Sequence, residues 1–242
     1  MARIPTESTG GKPPPGRLRL FAVLQSAYLR GALRAGNSLF QISSVLTPVG
    51  TWLKWWVGGV PTSKIPCCGD RLSLLDLAAA TAKTDGMWLE FGVWKAESLN
   101  HLAGLTRDKV YGFDSFEGLP ETWHLSMKRG VFSTGGVLPR TAENVVLVKG
   151  WFQDTLPKFL ETMPGAKAAL IHVDCDLYKS ARLVLWELHS RIGPGTVIIF
   201  DEFAGIMPDD EARAFREFVR FTGASYQYLG CSANGSVAVR VV

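Results

Sequence analysis

AALIHVDCDLYKSARLVLWELHSRIGPGTVIIFDE, residues 168–202, reads as strand, helix and strand. Its two apolar runs are short and continuous rather than alternating, as in strands covered on both faces. Two such strands joined through a helix lie parallel in one sheet. Each run also ends in acids, Asp174 and Asp176 after the first and Asp201 and Glu202 after the second. Fold and chemistry therefore meet at one edge of this unit.

Working outward, the same alternation fills the chain from Asp70. MWLEFGV (87–93), VYGFD (110–114) and NVVLVKG (144–150) are three further strands. Helical stripes lie over residues 70–84, over KAESLNHLAGL (95–105), over DTLPKFLETM (154–163) and over DDEARAFREFVRFTG (209–223). A long Gly- and Pro-containing loop runs from Ser115 to about Glu143. SYQYLG (225–230) and SVAVRVV (236–242) are joined too tightly for a crossover helix, so they form an antiparallel hairpin. The expectation is an α/β, doubly wound, Rossmann-like sheet of seven strands, five parallel plus the C-terminal hairpin.

Charge divides the chain in two. The net charge is +4, but residues 1–65 carry eight basic side chains and one acid, so the head is +7 and the rest is −3. Residues 1–16 are rich in Pro, Gly and hydroxyl side chains and read as a disordered lead. Residues 17–69 read as a basic, Trp-containing helical extension, and residues 70–242 as the α/β domain. The charge-free run between Arg34 and Lys54 has the length of a membrane span, yet Asn37, Gln41, Pro48 and its hydroxyls make it a poor one. Packing between subunits of a homo-oligomer, a dimer or higher, comes first for residues 17–60. Peripheral membrane contact comes second. No apolar segment with a small-residue cleavage site opens the chain, and Cys67, Cys68, Cys175 and Cys231 lack zinc-hook spacing. Reduced thiols in a cytoplasmic protein, with possible attachment at the cytoplasmic membrane face, are expected. A net acidic body gives nucleic acid no phosphate-binding surface.

In open parallel sheets, ligands bind beyond the carboxyl ends of the strands. The first strand ends at Glu90, followed by Gly92, where the chain can turn closely against a ligand. No G-x-G-x-x-G is present, and Glu90 would repel a pyrophosphate, so a cationic or amine-bearing ligand suits it better. Asp114 ends the second strand, where a carboxylate can accept both hydroxyls of a ribose. Asp174, Asp176, Asp201 and Glu202 converge if their strands are neighbours, and unneutralised they would raise one another's pKa. A hard divalent cation, Mg²⁺ first, is the simplest compensation, and pairing with Lys179, Arg182 and Arg213 is the alternative. Such an ion would acidify a coordinated hydroxyl, and a carboxylate left unligated could take its proton. Of the histidines, His172 reads as a core residue, whereas His124 sits in the long loop and could close over a site.

LEFGVWKAES (89–98), VYGFDSFEGLPETW (110–123), VLVKGWFQDTLPKFL (146–160), IHVDCDLYKSARLVL (171–185), PGTVIIFDEF (194–203) and EARAFREFV (211–219) occur in one order. Together they resemble the macrocin O-methyltransferase-like (TylF-like) family of class I S-adenosylmethionine-dependent methyltransferases. The resemblance implies the seven-stranded methyltransferase fold and Mg²⁺-dependent methyl transfer from S-adenosylmethionine to a hydroxyl. By motif, Glu90, Gly92, Val93 and Ser98 would line the methionine and ribose region. Asp114 and Ser115 would hold the ribose or adenine edge, Gln153 the adenine, and Asp174 would also touch the cofactor. Asp174, Asp201 and Glu202 would ligate the metal, and Asp176 would be the general base, with His124 the alternative.

Two positions depart from the family pattern: Ala96 replaces a usual Gly, and Glu202 replaces a second Asp of some members. The expected acceptor is a sugar hydroxyl on a glycosylated metabolite or glycolipid. A small catechol-type acceptor is the second expectation. A non-catalytic scaffold that keeps the fold is a third, and a nucleotide-dependent oxidoreductase would leave the acids after residues 173 and 200 unexplained.

Overall fold

A computed structural model describes residue 60 and residues 64–82, 85–123, 127–204 and 210–242. The lead, all of the extension before Val60 and His124 lie outside the described residues, and with them the expected subunit or membrane contacts of residues 17–59. Among the described residues no helix is long and apolar enough to cross a membrane.

Eight strands form one sheet: β1 (Cys67–Cys68), β2 (Met87–Phe91), β3 (Val110–Asp114), β4 (Val145–Lys149), β5 (Ala168–Val173), β6 (Val197–Phe200), β7 (Tyr226–Ser232) and β8 (Val237–Val241). Their order across the sheet is β1-β7-β8-β6-β5-β2-β3-β4. The seven expected strands are present, with β2 to β6 parallel to one another and β8 antiparallel to both β6 and β7. The eighth, β1, was not foreseen. It is two residues long and pairs parallel with β7, Cys67 opposite Cys231. Its sequence, CC between Pro66 and Gly69, carries no alternation that could announce it.

The helices are α1 (Arg71–Thr81), α2 (Glu97–Gly104), α3 (Phe152–Thr162), α4 (Tyr178–Glu187) and α5 (Asp210–Thr222). Asp70 starts α1 as an N-cap, its carboxylate accepting the Ser73 N–H at 2.8 Å. Side chains alternate through the sheet into two apolar layers. Leu89, Phe91, Ile171, Val173, Ile198 and Phe200 pack with residues of α3, α4 and α5. Leu170, Val197 and Ile199 pack with Leu74, Leu75 and Ala78 of α1 and Leu99 and Leu102 of α2. Glu90 and His172 are registered neighbours on β2 and β5 and share the parity of Leu170 and Ile199. Two polar side chains thus stand on the face covered by α1 and α2.

Candidate active site

Beyond the carboxyl ends of β2, β3, β5 and β6 opens a cleft of about 960 Å³. That is near the upper end for small-molecule sites, with room for two ligands side by side. Its acidic wall holds Asp114, Asp174, Asp176, Asp201 and Glu202. Its rim is aromatic, with Trp94, Trp123 and Phe132 from the two loops and Trp151 and Phe152 at the start of α3. Trp94 and Phe132 meet edge to face at 5.5 Å.

The turn after β2 is tightly made. Gly92 has φ +97°, and a Cβ there would overlap the Asp174 carbonyl oxygen, so the two strand ends touch only because this side chain is absent. Asp114 Oδ2 accepts both the Val93 and Trp94 N–H groups at 2.8 Å, and Oδ1 accepts the Phe116 N–H at 2.7 Å. Three of about four lone-pair sites are thus spent on the backbone, leaving less for a ribose than a free carboxylate offers. Trp94, Phe132 and Asp176, all lining the cleft, have φ of 47°, 68° and 60°, a left-handed conformation that clusters at functional sites. Ala96 shares it at φ 62°, which explains why glycine suits that position.

Gly92, Val93, Ser98, Asp114, Ser115, Gln153, Asp174, Asp176, Asp201 and Glu202 all line the cleft, as expected. Glu90 does not. The reading that it faces the ligand is corrected by its burial: the side chain is fully enclosed, Oε1 accepting Ser98 Oγ–H at 3.1 Å and Oε2 lying 2.9 Å from His172 Nδ1. Glu90 stands behind the site and holds two of its residues.

His172 is a core residue, as expected, but it is also part of the charge cluster. Burial opposes its charge, yet the carboxylates of Asp201 and Glu90 outweigh that cost and raise its pKa to about 10. Its Nε2 faces Asp201 Oδ1 at 3.9 Å, too long for a hydrogen bond and short enough for ion pairing. The second cation was missed altogether. Arg71, the first residue of α1, places Nη1 2.9 Å from Asp174 Oδ2 and 3.6 Å from Asp201 Oδ2. The expected alternative partners are engaged elsewhere, Lys179 with Glu121 and both Arg182 and Arg213 with Glu217.

Even with these cations the acids are in surplus. Burial, then the Asp201 charge, pushes Asp176 up to about 7. Burial and Asp201 also push Asp174 well up. Burial alone would raise Asp201 too, but His172 and Arg71 overcome it and hold Asp201 below its ordinary value. A carboxyl poised near 7 is suited to accept a proton at neutral pH.

Ligating atoms of His172, Asp174 and Asp201 lie within 4.8 Å of one another, the one such trio among the described residues. Glu202, expected to complete an all-oxygen set, is not in it. Two convergent carboxylates with excess negative charge suit a hard cation in their chemistry. Arg71 holds the oxygens such an ion would use. The acidic wall likewise suits the sulfonium and ammonium of S-adenosylmethionine.

The macrocin-O-methyltransferase (TylF) family model matches residues 129–223. A tetracenomycin-C rhamnosyl 4'-O-methyltransferase from Streptomyces olivaceus is 30% identical over 164 residues, covering 55% of this chain and 60% of the relative. Mycinamicin III 3''-O-methyltransferase from Micromonospora griseorubida is 27% identical, covering 55% of this chain and 62% of the relative. The chain thus spans about 60% of the length of these curated relatives. Among solved structures, the calicheamicin methyltransferase superposes with a TM-score of 0.56 at 23% identity, covering 70% of this chain and 77% of the other. The O-methyltransferase NovP gives 0.54 at 19%, covering 70% and 78%. The sheet has the same fold as these two methyltransferases, and over residues 129–223 the chain is similar to the TylF macrocin-O-methyltransferase family.

Proposed function

We propose that the protein is an O-methyltransferase that moves the methyl group of S-adenosylmethionine to a sugar hydroxyl of a glycosylated metabolite or glycolipid. The observation that carries this is the convergence of Asp174, Asp176 and Asp201 on one wall of a cleft large enough for two ligands. The relatives' names, each an O-methyltransferase and one acting on a rhamnosyl group, support the class of reaction.

When bound, S-adenosylmethionine supplies an electrophilic methyl group. Gly92, Val93, Ser98, Asp114, Ser115 and Gln153 would hold it, with Asp174 beside its cationic end. Asp176 accepts the proton of the attacking hydroxyl. Burial and the charge of Asp201 raise its basicity to match neutral pH. Trp94, Trp123 and Phe132 exclude water and fix the acceptor ring over the acidic wall. Mg²⁺ would be held by Asp174 and Asp201, with Glu202 near by, and would supply Lewis acidity toward the acceptor oxygen.

Incubating the protein with methyl-labelled S-adenosylmethionine, Mg²⁺, methyl α-L-rhamnoside, larger rhamnosides and catechol tests this reading. Label is expected in a glycoside. Label in catechol alone would move the acceptor to a small phenol. Absence of S-adenosylmethionine binding by calorimetry at millimolar cofactor would favour a scaffold.

A further inference from the structure

Glu211, in the first turn of α5, has a fully buried side chain, yet no part of the reaction described above uses it. Among the described residues its carboxylate accepts from other elements rather than from its own helix. Oε1 accepts the N–H groups of Cys175 at 3.1 Å and Asp176 at 3.2 Å, and Oε2 accepts the N–H of Glu202 at 3.0 Å. Those three amides belong to the two acid-bearing turns beyond β5 and β6. One side chain therefore fastens both turns, and it does so from a third element.

The need for such a fastening is visible in the backbone. Asp176 has φ 60°, which a residue with a Cβ keeps only when its surroundings impose it. On the opposite side, Gly92 abuts the Asp174 carbonyl and removes any room for the turn to relax that way. The amide of Asp176 is held by Glu211 while its carboxyl lines the cleft. Buried carboxylates are unfavourable unless fully hydrogen-bonded, and a turn-to-turn spacer alone could have been apolar. Burial and the charges of Asp174, Asp201 and Asp176 push the Glu211 carboxyl well above its ordinary value, while the Glu202 N–H works against that. Both of its oxygens nevertheless meet backbone donors.

We infer that Glu211 is a positioning residue for methyl transfer: by accepting three backbone N–H groups it sets the left-handed turn that aims Asp176 at the acceptor and fixes the Asp176 turn relative to Glu202. This rests on the methyltransferase reading of the cleft. A glutamine at 211 keeps one acceptor oxygen but turns an amide N–H₂ toward a backbone N–H, so one of the two turns is released. A methionine keeps the volume and releases both.

The test compares wild type, Glu211→Gln and Glu211→Met in three readouts. Methyl transfer to the glycoside accepted by wild type should lose about 100-fold in kcat for either variant, the scale of an ångström-sized misplacement. The KM and the calorimetric affinity for S-adenosylmethionine should stay within about 3-fold, because the cofactor residues are untouched. A merely structural buried acid would leave kcat alone or change folding and binding together. A kcat within about 3-fold of wild type in a folded Glu211→Gln overturns the inference. If both variants fail to fold, amide hydrogen exchange on wild type decides. Protection of the Cys175, Asp176 and Glu202 amides supports the clamp, and their exchange at loop rates overturns it. Exchange is read without turnover, so a protein inactive on every acceptor but protected at these amides would fault the methyltransferase reading and keep the clamp.

Discussion

The Arg71 guanidinium lies 2.9 Å from the Asp174 carboxylate, joining the first residue of α1 to the end of β5 across 103 positions of sequence. The same group reaches Asp201 at 3.6 Å and Glu97 at 3.3 Å. A side chain just after the N-terminal extension is thus the counter-charge of the acidic wall. Removing it leaves Asp174 and Asp201 facing each other with one fewer cation.

Arg71→Met is therefore expected to lower stability by about 1–3 kcal/mol in low salt, less than a fully buried pair because the guanidinium keeps some solvent contact. Millimolar Mg²⁺ should recover part of that loss by taking the vacated place. Urea denaturation with and without Mg²⁺ measures both. An unchanged midpoint in metal-free buffer would show that Arg71 does not neutralise the wall.

His172 makes a pH prediction whose sign follows from its raised pKa. Folded His172 holds its proton to about 10, whereas the unfolded imidazole releases it near 6.5. Between these values the folded state binds more protons, so stability is full below about 6.5 and falls as pH rises toward 10. The loss should be a few kcal/mol in wild type and much smaller in His172→Gln. Thermal unfolding from pH 6 to 10 reads this, and parallel pH profiles for the two proteins would contradict it.

Asp176 governs a different limb. With its pKa pushed up to about 7, kcat/KM should rise through that pH as the base ionises. A profile flat from pH 5.5 to 8.5 would place the proton acceptor elsewhere.

Much of this site was legible before the structure, and the exceptions have physical reasons. Continuous apolar runs ending in acid identified β5 and β6 and put Asp174, Asp176 and Asp201 on one edge, because strand ends in parallel sheets share a side. The cleft duly holds ten of the residues expected there. Glu90 was misplaced because a strand-end acid can point along the strand or into the layer beneath. Its register with His172 and the Ser98 hydroxyl above it draw it inward. Arg71 and Glu211 were invisible as site residues because each looks like an ordinary polar position on an amphipathic helix. Their partners are brought to them only by packing of α1 and α5 on the sheet. The two-residue β1 carries too little sequence to signal itself.

Gly92→Ala is expected to be severe despite its small size. The added Cβ would overlap the Asp174 carbonyl, and alanine is strained at φ +97°. A loss of at least about 2 kcal/mol in stability is expected, with weaker S-adenosylmethionine binding as the two strand ends part. Chemical denaturation and calorimetry check the two effects. Full affinity and stability would show that the turn can relax.

Removal of divalent ions bears on the proposed Mg²⁺. Excess EDTA should abolish methyl transfer, and Mg²⁺ should restore it, while S-adenosylmethionine still binds the chelated protein. Undiminished turnover in EDTA would leave Arg71 and His172 as the only cations that the acidic wall needs.

The cleft as a site of methyl transfer with Asp176 as base is tested most directly by Asp176→Asn. Asparagine preserves the shape and the backbone N–H bond to Glu211 but cannot take a proton. Labelled methyl transfer to the accepted glycoside should fall by about 10²–10⁴-fold, while calorimetry gives S-adenosylmethionine affinity within about 3-fold of wild type. Retention of most of the turnover by this variant would contradict the assignment.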